Sequence, residues 1–344
     1  MLRQIRRATF RALKTLGVSR LVAGSRWRQQ RLLILCYHGV SQEDEHFWRP
    51  NLYVEPDFLR QRLEILQRGQ YNVLPLGKAL QQLRARELPP RSVAITFDDG
   101  MSDFYSRAYP LLRSFGFPVT VYQTTYYSHF QRPVFNLICS YMLWKRRGRV
   151  LDNGAELGLK GAVDLGTESS REQAVLQLMQ VAEAGQLDGA GKDELVARLA
   201  AALQIDYQEI VRKRLLHVMS QLEIAELAAA GVDFQLHTHR HRAPINEALF
   251  REEIQENRRR LHSMTGSDAV HFCYPSGDCQ PEFLPWLEAE NVVSATTCIP
   301  GLARARTLPL LLPRFVDTSA RSAIEFEGWL SGVGAVVAAN RLVN

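Results

Sequence analysis

The sequence predicts an α/β protein whose parallel strands form a sheet or a barrel. Short apolar runs of strand length alternate with amphipathic helical patterns over residues 31–125, and again from residue 217 onward. Two of the apolar runs end in polar clusters, Asp98-Asp99 and His237 to His241. The alternation indicates the fold class, and the polar clusters at the strand ends indicate where the chemistry lies.

The first part of the alternation contains four predicted strands and three predicted helices. We expect strands at residues 31–38, 72–75, 93–98 and 118–124, and helices at residues 56–69, 76–86 and 103–116. In the first of these helices, Phe58, Leu59, Leu63 and Leu66 form one apolar stripe, and Gly69 is a typical stop signal.

The alternation breaks over residues 126–216. This stretch has an aromatic, basic start, a Gly-rich polar middle and helical patterns at residues 171–184 and 192–203. It contains no catalytic motif, so we interpret it as a largely helical insertion into the α/β domain. Its position between two site-bearing strands makes it a candidate lid or substrate platform, and an elaboration that serves only packing is the alternative.

Strands and helices alternate again after the insertion. We expect helices at residues 220–230, 246–266 and 281–291, and strands at residues 232–237, 270–274, 292–297 and 310–316. Residues 31–125 and 217–320 are therefore expected to form one domain, and residues 321–344 a C-terminal segment.

The positive charge of the chain is concentrated at its N-terminus. The net charge is +6, and the first 42 residues contain nine Lys or Arg and no Asp or Glu. Residues 1–30 form a basic amphipathic arm with apolar residues at roughly helical spacing. Such an arm either contacts an anionic membrane surface peripherally or packs as a helix on the domain. No aromatic and basic residues interleave as in nucleic-acid modules, so no nucleic-acid partner is expected.

Basic residues interrupt every candidate apolar core of a signal peptide in the N-terminal arm. The five cysteines are odd in number, form no CxxC pair and lie mostly in apolar runs. We therefore expect buried thiols in a reducing compartment rather than a disulfide framework. These observations predict a cytoplasmic protein, with peripheral attachment to the inner face of the membrane as a further expectation.

The polar clusters combine two carboxylates with two imidazoles four residues apart. One carboxylate and two imidazoles make a facial set of ligands for a divalent ion and leave positions open for water and substrate. The spare carboxylate beside the ligand is placed to take a proton from water. The sequence therefore predicts a metal-dependent hydrolase.

Three blocks carry a resemblance to a known family. They are Thr96-Phe97-Asp98-Asp99-Gly100, His237-Thr238-x-x-His241 and Phe272-x-Tyr274-Pro275-x-Gly277. In this order they resemble polysaccharide deacetylases of the NodB-homology type, carbohydrate esterase family 4, over residues 32–125 and 217–318. The resemblance implies a distorted, incomplete (β/α) barrel, with the site at the carboxyl ends of the strands.

The resemblance also implies roles for individual residues. The implied metal ligands are Asp99, His237 and His241, the general base is Asp98, and the backbone N–H of Tyr274, in the block with Pro275 and Gly277, stabilises the oxyanion. His239 is not expected to be a ligand, because the spacing favours His237 and His241 as the ligand pair. The implied cofactor is one divalent metal ion, with zinc as the first choice and cobalt, nickel or another divalent ion as alternatives.

The chain departs from the family pattern in two places. No Arg stands near the Tyr-Pro block to orient the base, and Arg314 in the last strand is the substitute expected to pair with Asp98. A structural salt bridge is the alternative for Arg314. The Leu-x-His of the family is also absent, and in a branch acting on exopolysaccharides a Tyr-His pair supplies the acid instead. His38 is therefore the expected general acid, or otherwise a core or loop histidine.

These observations predict a deacetylase that removes N-acetyl groups from a hexosamine-containing polysaccharide or glycan precursor, with metal-bound water as nucleophile. A role in exopolysaccharide biosynthesis and a lipid-linked or nucleotide-linked sugar as substrate fit this expectation. The alternatives are a C–N hydrolase acting on a small non-sugar amide and a catalytically silent glycan-binding protein. The presence of both Asp98 and Asp99 argues against a catalytically silent protein, because glycan binding alone needs no carboxylate that acts as a base.

Overall fold

The computed structural model of the chain describes residues 2–339. Thirteen strands lie within this part of the chain. They are β1 Arg31–Tyr37, β2 Gly39–Val40, β3 Tyr53–Val54, β4 Asn72–Val73, β5 Ser92–Phe97, β6 Thr120–Gln123, β7 Val150–Leu151, β8 Val163–Asp164, β9 Asp233–Leu236, β10 His271–Cys273, β11 Ser294–Thr296, β12 Ala303–Arg304 and β13 Phe315–Val316.

Helices connect most of these strands. The α-helices are α1 Leu2–Thr15, α2 Val18–Gly24, α3 Arg26–Gln29, α4 Glu45–Trp48, α5 Pro56–Arg68, α6 Leu76–Ala85, α7 Tyr109–Ser114, α8 Tyr126–Phe130, α9 Phe135–Lys145, α10 Glu168–Ala184, α11 Gly189–Ala202, α12 Tyr207–Arg212, α13 Gln221–Ala229, α14 Glu247–Thr265, α15 Phe283–Ala289, α16 Ala323–Ser331 and α17 Val333–Ala339. Short 3-10 helices lie at Gly154–Leu157 and Pro275–Gly277, and a π-helix lies at Phe104–Ala108.

The main sheet is a curled half-barrel. Its path of seven strands runs β11-β10-β9-β6-β5-β1-β12, and β4 and β13 pair with β5 and β1 off this path. The pairings along β1, β5, β6, β9, β10 and β11 are parallel, whereas β12 pairs antiparallel with β1. The predicted fold class, a distorted and incomplete (β/α) barrel, is confirmed. Because the strands are parallel, their carboxyl ends meet at one edge of the sheet.

The core lies between the sheet and the helices that cover it. All six residues of β5 and six of the seven residues of β1 are buried, as expected for parallel strands covered on both faces. Helix α6 packs Leu76, Leu80 and Leu83 into the same apolar cluster as Leu32 and Ile34 of β1. The rigid strands therefore fix the residues that follow their ends.

The chain divides into two compact units, residues 1–126 with 221–344 and residues 127–220. The second unit overlaps the predicted insertion. It contains α9 to α12 and the antiparallel pair β7–β8, and a bridge between Pro133 and His217 joins its two ends. The exact domain limits and the role of this unit as a lid stay predictions.

Two predicted elements differ from the structure. The last strand was expected over residues 310–316 but contains only Phe315–Val316, and Leu312 forms an isolated bridge with Thr296. Pro313 between them has no N–H to donate to a ladder. The helix expected over residues 103–116 begins as a π-helix, in which Tyr109 donates to the carbonyl of Phe104. Pro110 follows and cannot make the ordinary helical bond, which explains the wider turn.

The N-terminal arm is helical in the described residues and packs against α16. Phe10 is buried, and its ring fills the space beside Gly328 that a Cβ there would occupy. Arg6 pairs with Glu325, and Lys14 Nζ lies 2.5 Å from Glu327 Oε2. These contacts agree with the packed-helix alternative, and contact of residues 1–30 with a membrane stays a prediction. Met1 and residues 340–344 of the predicted C-terminal segment lie outside the described residues.

Among the described helices, none combines the length and apolar composition needed to cross a bilayer. The five cysteines are free thiols. Cys36, Cys139 and Cys273 are buried as expected, but Cys279 is partly exposed and Cys298 is exposed, so the prediction of buried thiols is wrong for these two. Both follow strand ends in loops, where the apolar run of the preceding strand no longer decides burial.

Candidate active site

The residues singled out by the motifs gather at the carboxyl edge of the sheet. His38 follows β1, Asp98 follows β5, His237 follows β9 and Tyr274 follows β10. Register places Tyr37 opposite Phe97 in the parallel pair β1–β5, so the residues after these two strands lie side by side. The parallel topology thus brings together residues from four distant parts of the sequence.

Asp99, His237 and His241 form a compact donor set. The Nε2 atoms of both histidines lie 3.1 Å from Asp99 Oδ1. The side chain of His237 is 2% exposed, whereas those of Asp99 and His241 are 23% and 40% exposed. Asp99 and His241 both adopt left-handed backbone conformations, with φ of 69° and 54°. Non-glycine residues in this conformation carry strain, which in many proteins is stored at functional sites.

A contact on the far side of its ring fixes the tautomer of His237. Its Nδ1 donates to the carbonyl oxygen of Cys273 at 2.9 Å, so Nε2 is the ring nitrogen directed at Asp99. The backbone N–H of His237 donates to Asn257 Oδ1 at 2.9 Å. The imidazole is therefore held with Nε2 toward Asp99, where it would face a bound ion.

The donor set fits a divalent metal ion. Donor atoms about 2.1 Å from a common ion lie about 3.0 to 3.4 Å from one another in octahedral or tetrahedral sites, and the 3.1 Å separations match this range. Partial burial favours the neutral acid of Asp99, but the charge of His241 and hydrogen bonds from both histidines hold its pKa well below the usual value. Asp99 is thus ionised, as a metal ligand must be.

Asp98 is bound by Arg314. The guanidinium Nη1 and Nη2 atoms donate to Asp98 Oδ1 and Oδ2, each at 2.7 Å, and both side chains are buried. Arg314 also donates to Thr96 Oγ1 at 3.2 Å and to the carbonyl of Thr297 at 3.0 Å. Burial opposes ionisation of Asp98, yet the charge and hydrogen bonds of Arg314 lower its pKa below the usual value. Asp98 is therefore ionised and its plane is fixed.

His38 lies next to this pair. Its Nε2 is 3.8 Å from Asp98 Oδ2, beyond hydrogen-bond length but within reach of electrostatic attraction, and its side chain is 16% exposed. The structure thus places the expected base, its arginine and the expected acid in one cluster adjacent to the donor set.

Two further groups of ligand atoms lie within 4.8 Å of one another, Cys36-His38-Asp98 and Asp98-His237-Cys273. Both depend on Asp98, whose oxygens are already bound by Arg314. Burial raises the pKa of the thiols of Cys36 and Cys273 well above the ordinary value, so both are protonated. These groups are weaker candidates for a metal than the set formed with Asp99.

The oxyanion assignment for Tyr274 needs correction. Its backbone N–H donates to the carbonyl of Thr296 at 3.3 Å, a bond between neighbouring strands, and is not directed into an open position. Its hydroxyl donates to the carbonyl of Leu310 at 3.0 Å. Pro275 and Gly277 form a tight turn with Gly277 at φ of 72°. The described contacts therefore give this block a structural role.

Helix α14 supplies two supporting residues that the sequence analysis missed. Asn257 holds the N–H of His237, and Glu253 accepts from the backbone N–H of Arg240 at 2.8 Å and from the guanidinium groups of Arg240 and Arg242. Both residues are buried. Their signal was present, because Phe250, Ile254 and Leu261 share their helix face, and polar residues on an apolar face need partners.

His239 takes no part in the donor set. Its Nδ1 lies 2.9 Å from Thr125 Oγ1, and burial lowers its pKa to about 4. Its ring faces Tyr126 at 5.6 Å. The residue between the two candidate ligands therefore fastens the loop to the chain that follows β6.

Comparisons with known proteins agree with this geometry. A family model described as polysaccharide deacetylase matches residues 85–180 and 206–293, just over half of the chain. Over 101 residues the chain is 29% identical to the poly-beta-1,6-N-acetyl-D-glucosamine N-deacetylase of Escherichia coli K12, and this match covers 28% of the chain and 14% of that relative. The chain thus matches only a small part of the length of this curated relative.

Solved structures share the fold at low sequence identity. The Streptococcus pyogenes deacetylase PplD, in complex with acetate, aligns with a TM-score of 0.54 and 19% identity over 84% of this chain and 93% of that one. IcaB from Ammonifex degensii aligns with a TM-score of 0.52 and 16% identity over 89% and 97%. The fold, the order of the motifs and the family match lead to one conclusion: the chain belongs to the polysaccharide deacetylase family.

Proposed function

We propose that the protein is a metal-dependent N-deacetylase that hydrolyses the acetamide groups of a hexosamine-containing polysaccharide. Family membership supports the reaction class, hydrolysis of a carbon–nitrogen bond. The observation that carries the proposal is the placement of an ionised, arginine-bound Asp98 directly beside the donor set of Asp99, His237 and His241. Deacetylation needs both an activated water and a group that takes its proton.

The donor set of Asp99, His237 and His241 would hold the cofactor. Two imidazole nitrogens and one carboxylate oxygen suit zinc, and cobalt and nickel accept the same ligands. A bound divalent ion would lower the pKa of a water and polarise the acetamide carbonyl. The partly exposed side chains of Asp99 and His241 lie on the side open to water and substrate.

The protein groups around the donor set would move the protons. Asp98 would accept a proton from the water that attacks the acetamide carbon, and Arg314 keeps it ionised and oriented for this step. His38 in its protonated form would donate a proton to the sugar nitrogen as the C–N bond breaks. Asp98 Oδ2 lies 3.8 Å from His38 Nε2, so the proposed base and acid adjoin each other. The products are acetate and a free amino sugar.

A polymer of β-linked N-acetylglucosamine is the proposed substrate class. The support is the local similarity to an Escherichia coli enzyme whose name specifies poly-beta-1,6-N-acetyl-D-glucosamine, and a role in exopolysaccharide biosynthesis is proposed on the same ground. Lipid-linked and nucleotide-linked N-acetylhexosamines are precursors with the same reacting group, and an assay distinguishes them from the polymer.

Acetate release from a panel of substrates tests this proposal. The panel contains β-1,6-linked and β-1,4-linked N-acetylglucosamine oligomers, a nucleotide-linked N-acetylglucosamine and acetamide, each incubated with zinc-loaded protein. We expect release from an oligomer and none from Asp98→Asn. Turnover of acetamide alone would favour a small-amide hydrolase, and metal binding without release from any substrate would favour a silent glycan-binding protein.

A further inference from the structure

Five arginines line a cavity of about 600 Å³ at the opposite ends of the strands from the active site. They are Arg31, Arg84, Arg86, Arg304 and Arg306, and we refer to the cavity as the arginine pocket. The other lining residues are neutral: Gln29, Gln30, Leu83, Leu88 and Ala305. No carboxylate lines this cavity, so its surface is strongly positive.

Two of the arginines that line the arginine pocket form an unfavourable pair. Arg31 and Arg304 stand directly opposite each other in the antiparallel pair β1–β12. Directly opposed residues in such a pair have Cβ atoms about 5 Å apart, and like charges in these positions are destabilising. The pKa of Arg31 is lowered by burial and then by the charges of Arg304 and Arg306. This arrangement breaks a local rule of sheet stability, as functional sites often do.

Nothing in the described part of the chain neutralises the five guanidinium groups by an ion pair. Arg31 is held by a hydrogen bond to the carbonyl of Trp27 and lies over its ring, 4.3 Å from the centroid. Arg84 donates to the carbonyl of Val293 at 3.0 Å. The side chains of Arg86, Arg304 and Arg306 have no hydrogen-bond partner among the described residues, and their donors are available to a ligand.

The arginine pocket is separate from the catalytic residues. Arg31 begins β1, and His38 follows the last residue of that strand. At about 3.3 Å per residue, the seven-residue strand separates the two by about 20 Å. A ligand in the arginine pocket therefore does not contact Asp98 or the donor set.

We propose that the arginine pocket binds a multiply charged phosphate group. Guanidinium groups bind phosphate oxygens through paired hydrogen bonds, and several of them match the charge of a phosphomonoester or a diphosphate better than that of one carboxylate. A phosphomonoester carries about −1.5 to −2 at neutral pH. Bound between Arg31 and Arg304, it replaces the like-charge repulsion of that pair with attraction. The phosphate belongs either to a soluble molecule or to a lipid headgroup.

Calorimetry with inorganic pyrophosphate tests the arginine pocket with a defined probe. We expect binding by the full-length protein, weakening with added salt, and a loss of about tenfold or more in the double variant R304Q/R306Q. The matched control R107Q/R113Q removes the same charge from two exposed arginines outside the pocket and should bind as the unaltered chain does. Equal weakening in both variants, or no binding by the unaltered chain, overturns the proposal.

The melting temperature provides a second measurement, which is made both without and with pyrophosphate. Without pyrophosphate, R304Q/R306Q should melt at the same temperature as the unaltered chain or higher, because the substitution removes repulsion. With pyrophosphate, only the chain with an intact pocket should gain stability. A lower melting temperature of R304Q/R306Q without ligand would assign these arginines a structural role and overturn the proposal.

Flotation with vesicles distinguishes the source of the phosphate. Vesicles of phosphatidic acid in phosphatidylcholine present a phosphomonoester on a surface, and vesicles of phosphatidylcholine alone are the control. A lipid headgroup is supported if the unaltered chain floats with the phosphatidic acid vesicles, R107Q/R113Q still does so, and R304Q/R306Q does not. Binding of pyrophosphate without flotation supports a soluble ligand. The proposal is overturned if R304Q/R306Q still floats with these vesicles and the unaltered chain does not bind pyrophosphate.

Discussion

Arg314 and Asp98 form two hydrogen bonds of 2.7 Å across 216 positions of the sequence. Both are buried, so neither charge has water as an alternative partner. A buried bidentate pair of this kind has one orientation, and removal of one member leaves an uncompensated charge. The relationship makes Arg314 the residue on which the orientation of the proposed base depends.

Replacement of Arg314 by Lys should lower kcat for acetate release by about 100-fold, because Lys retains the charge but cannot bind both carboxylate oxygens. KM should change little, since Arg314 lies behind Asp98 rather than in the open part of the site. Steady-state kinetics and metal content measure the effect. R251K, which alters an ion pair away from the site, is the matched control. An unchanged kcat in R314K would show that the pair is only structural.

Removal of the metal should abolish acetate release, and zinc should restore it. His237→Gln should reduce bound metal, since it removes a donor whose tautomer the carbonyl of Cys273 fixes. Asp98→Asn should keep its metal yet remain inactive, because Asp98 is bound to Arg314. Elemental analysis of the purified variants measures the difference. Loss of metal from Asp98→Asn would place the ion on a different donor set.

His38→Ala should lower kcat by about 100-fold to 10,000-fold while leaving the metal content unchanged. The reason is that His38 lies beside Asp98, within reach of the leaving nitrogen in the proposed reaction, and outside the set formed with Asp99. Acetate release and elemental analysis together separate the two roles. Metal loss from His38→Ala would identify the residue as a ligand.

Glu253→Gln should weaken metal binding by about 10-fold to 100-fold. The carboxylate of Glu253 fastens Arg240 and Arg242, the neighbours of His241, and an amide holds them less strongly. Competition with a metal chelator gives the affinity. Glu252→Gln is the control, because Glu252 precedes Glu253 on α14 but is exposed. Equal affinities of the two variants would rule out a positioning role for Glu253.

The stability of residues 127–220 should fall as the pH is lowered from about 6.5 to about 4. Burial lowers the pKa of His217 to about 4, so between these values the unfolded chain binds a proton that the folded chain does not. Stability therefore rises with pH in this window, by at most about 3 kcal/mol from this residue. Denaturant unfolding of the full chain at about pH 7 and about pH 5, compared with His217→Gln, measures the contribution. An equal pH dependence in His217→Gln would contradict this assignment.

The fold and the ligand candidates followed from local sequence patterns. Residues 93–98 read as a buried strand because five of the six are apolar or small and β-branched, and parallel pairing then placed Asp98 beside His38. The support from α14 followed only in part: the apolar face of the helix indicates that Asn257 and Glu253 need partners, but it does not identify the backbone N–H groups of His237 and Arg240 as those partners. The expectation for the N–H of Tyr274 failed for a similar reason, since its partner, Thr296, belongs to another strand.

Cys273 contacts both halves of the site. Its carbonyl oxygen accepts from His237 Nδ1 at 2.9 Å, and its sulfur lies 3.0 Å from Arg314 Nη2. A shift of this one residue on β10 therefore moves a metal-ligand candidate and the partner of Asp98 together. Substitutions at His237 and Arg314 are expected to be epistatic, with a coupling energy in a double-mutant cycle that separate sites would not show. Evolutionary change in one half of this site is thereby constrained by the other.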